Sequence, residues 1–413
     1  MKKLLVLGGI SVIVDIVKKA KKDGYYVIVT DNLYDSPAKR IADEIWMLSI
    51  DDVEGIVKKC KLEHVDGVMN YCLDPGQKPY QQICEKLNLP CVASFEQFEI
   101  MTNKDKFVEC CKKYGVNTIP EYIYPDEISN IEYPVIIKPV DSRASKGICL
   151  CNTKNEFEES IKYAYSFSKQ KRIRIEKYLE CPEICVKYFV ADGHVFLTSM
   201  ADVFTCKETD GRRVYLGTQT YPSKYYDEYL EKTNDKVINM IKGIKIKNGA
   251  LSFTGFYDKG VFRFFDPSLR MGGAQDWMIV KAASGVDISS CLTNFAMTGS
   301  MGNIEEIMKI DKAFINRKSA LLYFDLRPGR IALFEGIKEA SIVSGVVCYH
   351  QNHYVGDTIE SYGTANNVAI RFVISCNSFN EFKQTVLEIQ SLIRIEDNNG
   401  NSLIVPMYKP DFF

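Results

Sequence analysis

The chain has 413 residues, enough for two or three domains, and its 46% hydrophobic and 25% charged residues exclude a disordered or fibrous protein. Lys and Arg number 52 against 53 Asp and Glu, so no field of one sign recruits nucleic acid or an anionic membrane, and any anion site must be local. None of the fourteen cysteines is spaced Cys-x-x-Cys, which favours reduced structural thiols in a cytoplasmic protein over a metal site.

Lys2 and Lys3 followed by the apolar run from Leu4 to Val14 imitate a signal peptide, but Gly8 and Gly9 interrupt the run and no small-residue cleavage site follows. The pattern instead predicts strand, turn, helix, strand. Lys3 to Leu7, Tyr25 to Thr30, Ile45 to Leu48, Val65 to Asn70 and Pro90 to Val92 are the strand candidates of a doubly wound parallel sheet over residues 1–95. Gly8, Gly9 and Asp31 stand where a dinucleotide fold would place them, yet the third glycine is missing, so a scaffold or substrate role is favoured. No stretch approaches the roughly 18 apolar residues that span a bilayer.

Residues 96–305 mix helix and strand, with a hairpin turning at Asp258, Lys259 and Gly260. Residues 306–413 read as a small α+β lobe, punctuated by Gly329, Gly336, Gly345 and Gly356 and carrying one helix around Phe379 to Ile393. His350 and His353 are read as surface loop residues and not as a metal pair.

Three segments carry chemistry. In Pro134 to Gly147 an apolar strand delivers Lys138 to a loop of small and polar residues, whose freed amides can cradle phosphate beside the lysine. Next, Glu176-Lys177-Tyr178-Leu179 ends a strand in a linker able to meet an adenine edge, and Glu183 follows as an acceptor for ribose hydroxyls. Last, Asp266-Pro-Ser268-Leu-Arg270-Met-Gly272-Gly273 alternates an acid, a hydroxyl and a guanidinium, which an extended chain points to one side. Asp266 suits Mg²⁺, and Arg270 suits a transferring phosphoryl group.

In this order the segments resemble the ATP-grasp superfamily, which includes biotin carboxylase, D-alanine–D-alanine ligase, carbamoyl-phosphate synthetase and the L-amino-acid ligases. Arg327-Pro-Gly-Arg330-Ile with Gly336 resembles the carboxy-terminal lobe of the biotin-carboxylase branch. The resemblance implies an α/β and α+β protein: a pre-grasp domain (1–95), an ATP-grasp domain (96–305) with a small lid lobe at about 120–180, and a C-terminal α+β lobe (306–413). It implies an ATP-dependent ligase that activates a small-molecule carboxylate as an acyl phosphate for attack by an amine or a similar nucleophile such as a thiol. Its cofactors would be ATP and Mg²⁺ or Mn²⁺, and its assembly a homodimer.

Carried over residue by residue, Lys104 and Lys138 correspond to the two phosphate-binding lysines, and Ser142, Ser145, Lys146 and Gly147 to the loop over the triphosphate. Glu176, Lys177, Tyr178, Leu179, Glu183 and Phe265 correspond to the adenine and ribose contacts. Asp266 and Ser268 fall on the metal site, Arg270 and Lys138 on the catalytic positions, and Arg270, Gly272 and Gly273 on the substrate. Two positions depart from the family's pattern. A second carboxylate is expected twelve residues before Asp266, where Thr254 stands, and Ser268 replaces an asparagine. A second metal should therefore bind weakly, and a nucleotide-binding protein without turnover is the alternative reading.

Overall fold

The computed structural model describes residues 1–140, 147–205, 217–360 and 365–410. The amino-terminal domain runs β1 (Lys3–Leu7), α1 (Val14–Lys22), β2 (Tyr26–Thr30), β3 (Glu44–Trp46), α2 (Val53–Glu63), β4 (Gly67–Met69) and α3 (Gln77–Leu87). Its strands pair in parallel in the order β3-β2-β1-β4. Apolar side chains on both faces of β1 explain its unbroken hydrophobic run: Leu5 and Leu7 enter one core with α2 and α3, Leu4 and Val6 another with α1.

Pro90 to Val92 does not add the fifth strand expected from sequence. The Val92 N–H donates to the Tyr80 hydroxyl, and Ser94 at once caps the next helix. The Asp31 carboxylate accepts from the N–H groups of Gly9 and Leu33, so it braces the glycine turn after β1.

A capping box between Ser94 and Gln97 opens α4 (Phe95–Thr102), and Asn103 caps α5 (Lys104–Lys113). A small antiparallel sheet follows, β5 (Glu121–Tyr122), β6 (Val135–Pro139), β7 (Cys149–Cys151) and β8 (Ile173–Lys177), backed by α6 (Phe157–Phe167) in the order β5-β8-β6-β7. Val135, Ile137, Phe157, Ile161 and Ile175 give this lobe a core of its own.

The main sheet is built from β9 (Glu183–Ala191), β10 (His194–Val203) and β11 (Gln219–Tyr221). After α7 (Tyr226–Tyr229) and α8 (Asp235–Gly243) come β12 (Gly249–Asp258) and β13 (Val261–Ser268). Lys259 and Gly260 both take positive φ in their hairpin, the geometry of a tight two-residue turn. Helices α9 (Trp277–Ser284), α10 (Ile288–Thr298) and α11 (Ile304–Ile307) lead to β14 (Lys318–Asp325).

The carboxy-terminal part adds β15 (Gly329–Arg330), β16 (Leu333–Glu335), α12 (Ile337–Ser341), β17 (Val346–Gln351), β18 (Thr358–Ile359), β19 (Val368–Cys376), α13 (Phe379–Leu392) and β20 (Arg394–Glu396). One eight-stranded sheet, β13-β12-β9-β10-β11-β14-β19-β17, crosses residue 305 without a break. At the seam β11 pairs with β14 through Gln219–Leu321, Thr220–Ala320 and Tyr221–Ser319. His350, expected in a surface loop, lies on β17 and is bonded to Ser11 of the first domain across 2.9 Å. No helix among the described residues is long and apolar enough to cross a membrane.

Asp325 closes β14 with its Oδ1 buried and unbonded, and burial pushes its carboxyl up to about 7. A folded-state pKa above the unfolded one favours the fold fully below about pH 4, and that contribution is lost as pH rises through 7. Asp325→Asn should therefore gain stability over the wild type between pH 4 and 8, by up to about 4 kcal/mol. Thermal unfolding of both proteins across that range checks it; a pH-independent difference would contradict it.

Candidate active site

The open face of the hairpin comes from one irregularity. Along β13, Phe262 and Phe264 point into the core, and simple alternation would send Asp266 after them. Between the pairs Gly255–Phe264 and Thr254–Asp266, however, the register shifts by one residue, and Phe265 is the extra one. This bulge turns Asp266 out to the exposed side. Phe265 itself stacks on Phe256 at 4.9 Å between ring centres. Thr254 stands directly across from Asp266, where the second carboxylate would be.

The lysines arrive from two other elements. Lys104 is the first residue of α5, at the end of the helix that favours anions. On the small lobe, Val135, Ile137 and Ile175 face inward, so Lys138 on β6 and Glu176 on β8 take the opposite face. Both are buried, and the Lys138 Nζ sits 2.6 Å from the Glu176 carboxylate. Arg174 beside them is clasped by Glu121 through two bonds of 2.8 and 2.7 Å.

With those two cations paired, Lys104 carries the surplus positive charge. Burial, and then the charge of Lys138, lowers its pKa, while Asp266 and Glu176 pull it back up. Burial raises the Asp266 carboxyl against the pull of Lys104. Groups from α5, β6 and β13 are thus close enough to shift one another, and an added anion would relieve the crowded cations.

The positions expected from sequence to meet adenine and ribose lie around the connection from β8 to β9. Lys177 reaches Glu132 at the surface across 2.8 Å, and the Tyr178 N–H donates to the Pro134 carbonyl. Leu179 and Glu183 are half-buried, Glu183 beginning β9 beside Phe256. Gly147 has φ +75, and a Cβ there would lie 2.6 Å from Phe167. Ser142, Ser145 and Lys146 lie outside the described residues.

Beyond β13, Arg270 forms two 2.6 Å bonds to Asp74, from the loop after β4, and a third to the Met271 carbonyl. Gly272 is wedged: a Cβ would come within 2.1 Å of Asp276 Oδ1 and 3.3 Å of Lys187 Nζ. Gly273 faces open space. Lys187 and Asp276, both buried, pair at 2.8 Å. They line, with Ser252, Arg270, Gly272 and Trp277, a small pocket. Ser268 Oγ, Gln275 Oε1, Asp276 Oδ1 and the Nε and Nη2 of Arg371 are buried without hydrogen-bond partners. The oxygen donors of Asp266 and Ser268 suit a hard cation, with Thr254 supplying no second charge.

Sequence reasoning missed Asp74, Lys187, Asp276 and Arg371. For two of them a signal existed: Lys187 and Arg371 are single charges in the apolar runs Ile-Cys-Val-Lys-Tyr-Phe-Val and Val-Ala-Ile-Arg-Phe-Val-Ile.

The family described as D-ala D-ala ligase C-terminus matches residues 102–239. A D-alanine–D-alanine ligase of Fusobacterium nucleatum subsp. nucleatum is 32% identical over 137 residues, which are 32% of this chain and 45% of that one. A formate-dependent phosphoribosylglycinamide formyltransferase of Prochlorococcus marinus subsp. pastoris is 29% identical over 162 residues, 38% and 41% of the two chains. The chain thus spans less than half the length of these curated relatives. Among solved structures, the L-amino acid ligase from Bacillus licheniformis superposes with a TM-score of 0.77 over 97% of this chain and 99% of its own, at 20% identity. Biotin carboxylase from Campylobacter jejuni, solved as a β-γ-ATP complex, gives 0.74 over 96% and 92%, at 18% identity. The fold is the ATP-grasp fold.

Proposed function

We propose that this chain, with its ATP-grasp fold, is an ATP-dependent ligase that converts a small-molecule carboxylate to an acyl phosphate and joins it to an amine, releasing ADP and phosphate. What supports the reading is that α5, β6 and β13 carry Lys104, Lys138 and Asp266 near enough for their charges to act on one another. Phosphoryl transfer asks for in-line positioning and charge compensation more than for a proton-transferring side chain, and this set supplies both.

In this reading Lys104 and Lys138 take the phosphate oxygens, which draws Lys138 from Glu176. The Phe256–Phe265 stack offers an apolar wall for the base. Bound magnesium would neutralise phosphate charge, and Asp266 with the Ser268 hydroxyl is the oxygen set that would hold it. Arg270 and the Gly272–Gly273 backbone hold the reacting carboxylate. Asp74 competes for Arg270 and releases it when a substrate carboxylate offers the better fork. Cysteines that form no disulfide among the described residues suit a reducing cytoplasm.

Thr254 opposite Asp266 favours one other reading, a nucleotide-binding protein without turnover. ADP formation over a panel of carboxylates and amines, with Mg²⁺ and with Mn²⁺, separates the two. The ligase reading requires ADP release that depends on a carboxylate. Nucleotide binding with no ADP under any pairing would leave the second reading standing.

A further inference from the structure

Arg371 sits midway along β19, paired across the ladder with Tyr323 on β14 and His350 on β17. Its neighbours Ile370, Phe372 and Ile374 fill the carboxy-terminal core with α13. Alternation turns Arg371 to the other face, the one shared by Val373, Leu321, Tyr323 and Ile279 of α9. There it is 6% exposed, and neither Nε nor Nη2 has a partner. An uncompensated buried guanidinium costs folding energy, so its presence calls for a role that stability does not supply.

The surrounding charges are already matched. Arg270 is taken by Asp74, and Lys187 by Asp276. Burial, helped by Arg371 itself, drops the neighbouring His350 to about 4, so that ring is neutral. Burial also pushes the Cys72 thiol, which sits on the Gly272 carbonyl, up to about 12. Ala274 and Met278, which flank Asp276 in sequence, pack on that same face, so Arg371 borders the turn from Gly272 to Asp276, where Asp276 Oδ1 and the Nε and Nη2 of Arg371 remain unbonded. One positive charge is left over.

We propose that Arg371 anchors a carboxylate of the substrate other than the one that is phosphorylated. A planar guanidinium grips a carboxylate through two parallel hydrogen bonds, and a single surplus charge balances a monoanion, whereas a phosphate dianion would leave excess negative charge. The assignment of this carboxylate as the second one rests on the ligase reading, in which Arg270 holds the first. The anion site itself does not.

Acetate and inorganic phosphate, each titrated against the full chain without nucleotide at constant ionic strength, test it by calorimetry and thermal midpoint. Acetate should bind saturably and raise the midpoint more than phosphate does. Arg371→Met should weaken acetate by roughly ten- to a hundredfold, leaving the ligand-free midpoint unchanged or higher, and Arg371→Lys should fall between. The proposal is overturned if acetate does not saturate, if phosphate binds better, if Arg371→Met binds acetate like the wild type, or if its ligand-free midpoint drops sharply. Because no nucleotide is present, none of these outcomes depends on whether the chain forms ADP.

Discussion

Asp266→Asn should lower ADP formation by at least about a hundredfold, the loss seen when one preorganised electrostatic group is removed from an active site. Asp266 stands on the open hairpin face, directly opposite Thr254. Its side chain is exposed and makes no packing contact to lose, so the amide should leave unfolding within about 0.5 kcal/mol of the wild type. Thr254→Glu is the reciprocal change. It places two carboxylates across from each other on adjacent strands, where like charges repel. The variant should therefore be less stable than the wild type without metal, regain stability with Mg²⁺, and reach half-maximal activity at lower Mg²⁺. Wild-type turnover in Asp266→Asn would remove the hairpin from the chemistry.

Lys138→Met should do two things at once, and a second substitution separates them. The Lys138–Glu176 pair is buried on both sides, so deleting the lysine strands a carboxylate and should cost about 3 kcal/mol of stability. It should also weaken ATP by roughly ten- to a hundredfold, and adenosine hardly at all, because the lysine serves phosphate and not base. The double variant Lys138→Met, Glu176→Leu removes the stranded charge and should recover most of the stability. It should not recover ATP affinity. Titration calorimetry with ATP and adenosine, beside denaturant unfolding, reads both effects; equal losses for the two ligands would defeat the phosphate assignment.

The parallel domain was legible because its signal is local: short apolar runs alternating with amphipathic helices and separated by short turns. The family resemblance put the missing carboxylate at Thr254, twelve residues before Asp266, and the ladder pairs the two. The spacing argument was incomplete, though. Phe262, Phe264 and Asp266 share parity, and no alternating strand can bury the first two and expose the third. Only the bulge at Phe265 reconciles them, and a conflict of that kind between core and site residues is itself a readable sign of a bulge.

Asp74 was beyond reach for another reason. It meets Arg270 across 196 residues of chain, and nothing in local pattern encodes such a distance. Pro90 to Val92 failed differently. Its apolar character served packing against Tyr80 and not a ladder.

The seam between β11 and β14 bears on how this protein can be taken apart or recombined. Three residue pairs join them, yet a core straddles the join, with Cys185, Ala201 and Tyr221 on one side and Leu321, Tyr323 and Val373 on the other. A truncation at residue 305 would uncover that core and leave β11 as a bare edge, inviting association with other chains. The carboxy-terminal segment is thus no exchangeable cassette. A graft from a related protein would have to carry β14, β17 and β19 together with a matching β11, and any lineage that traded this segment would have had to inherit both sides of the seam.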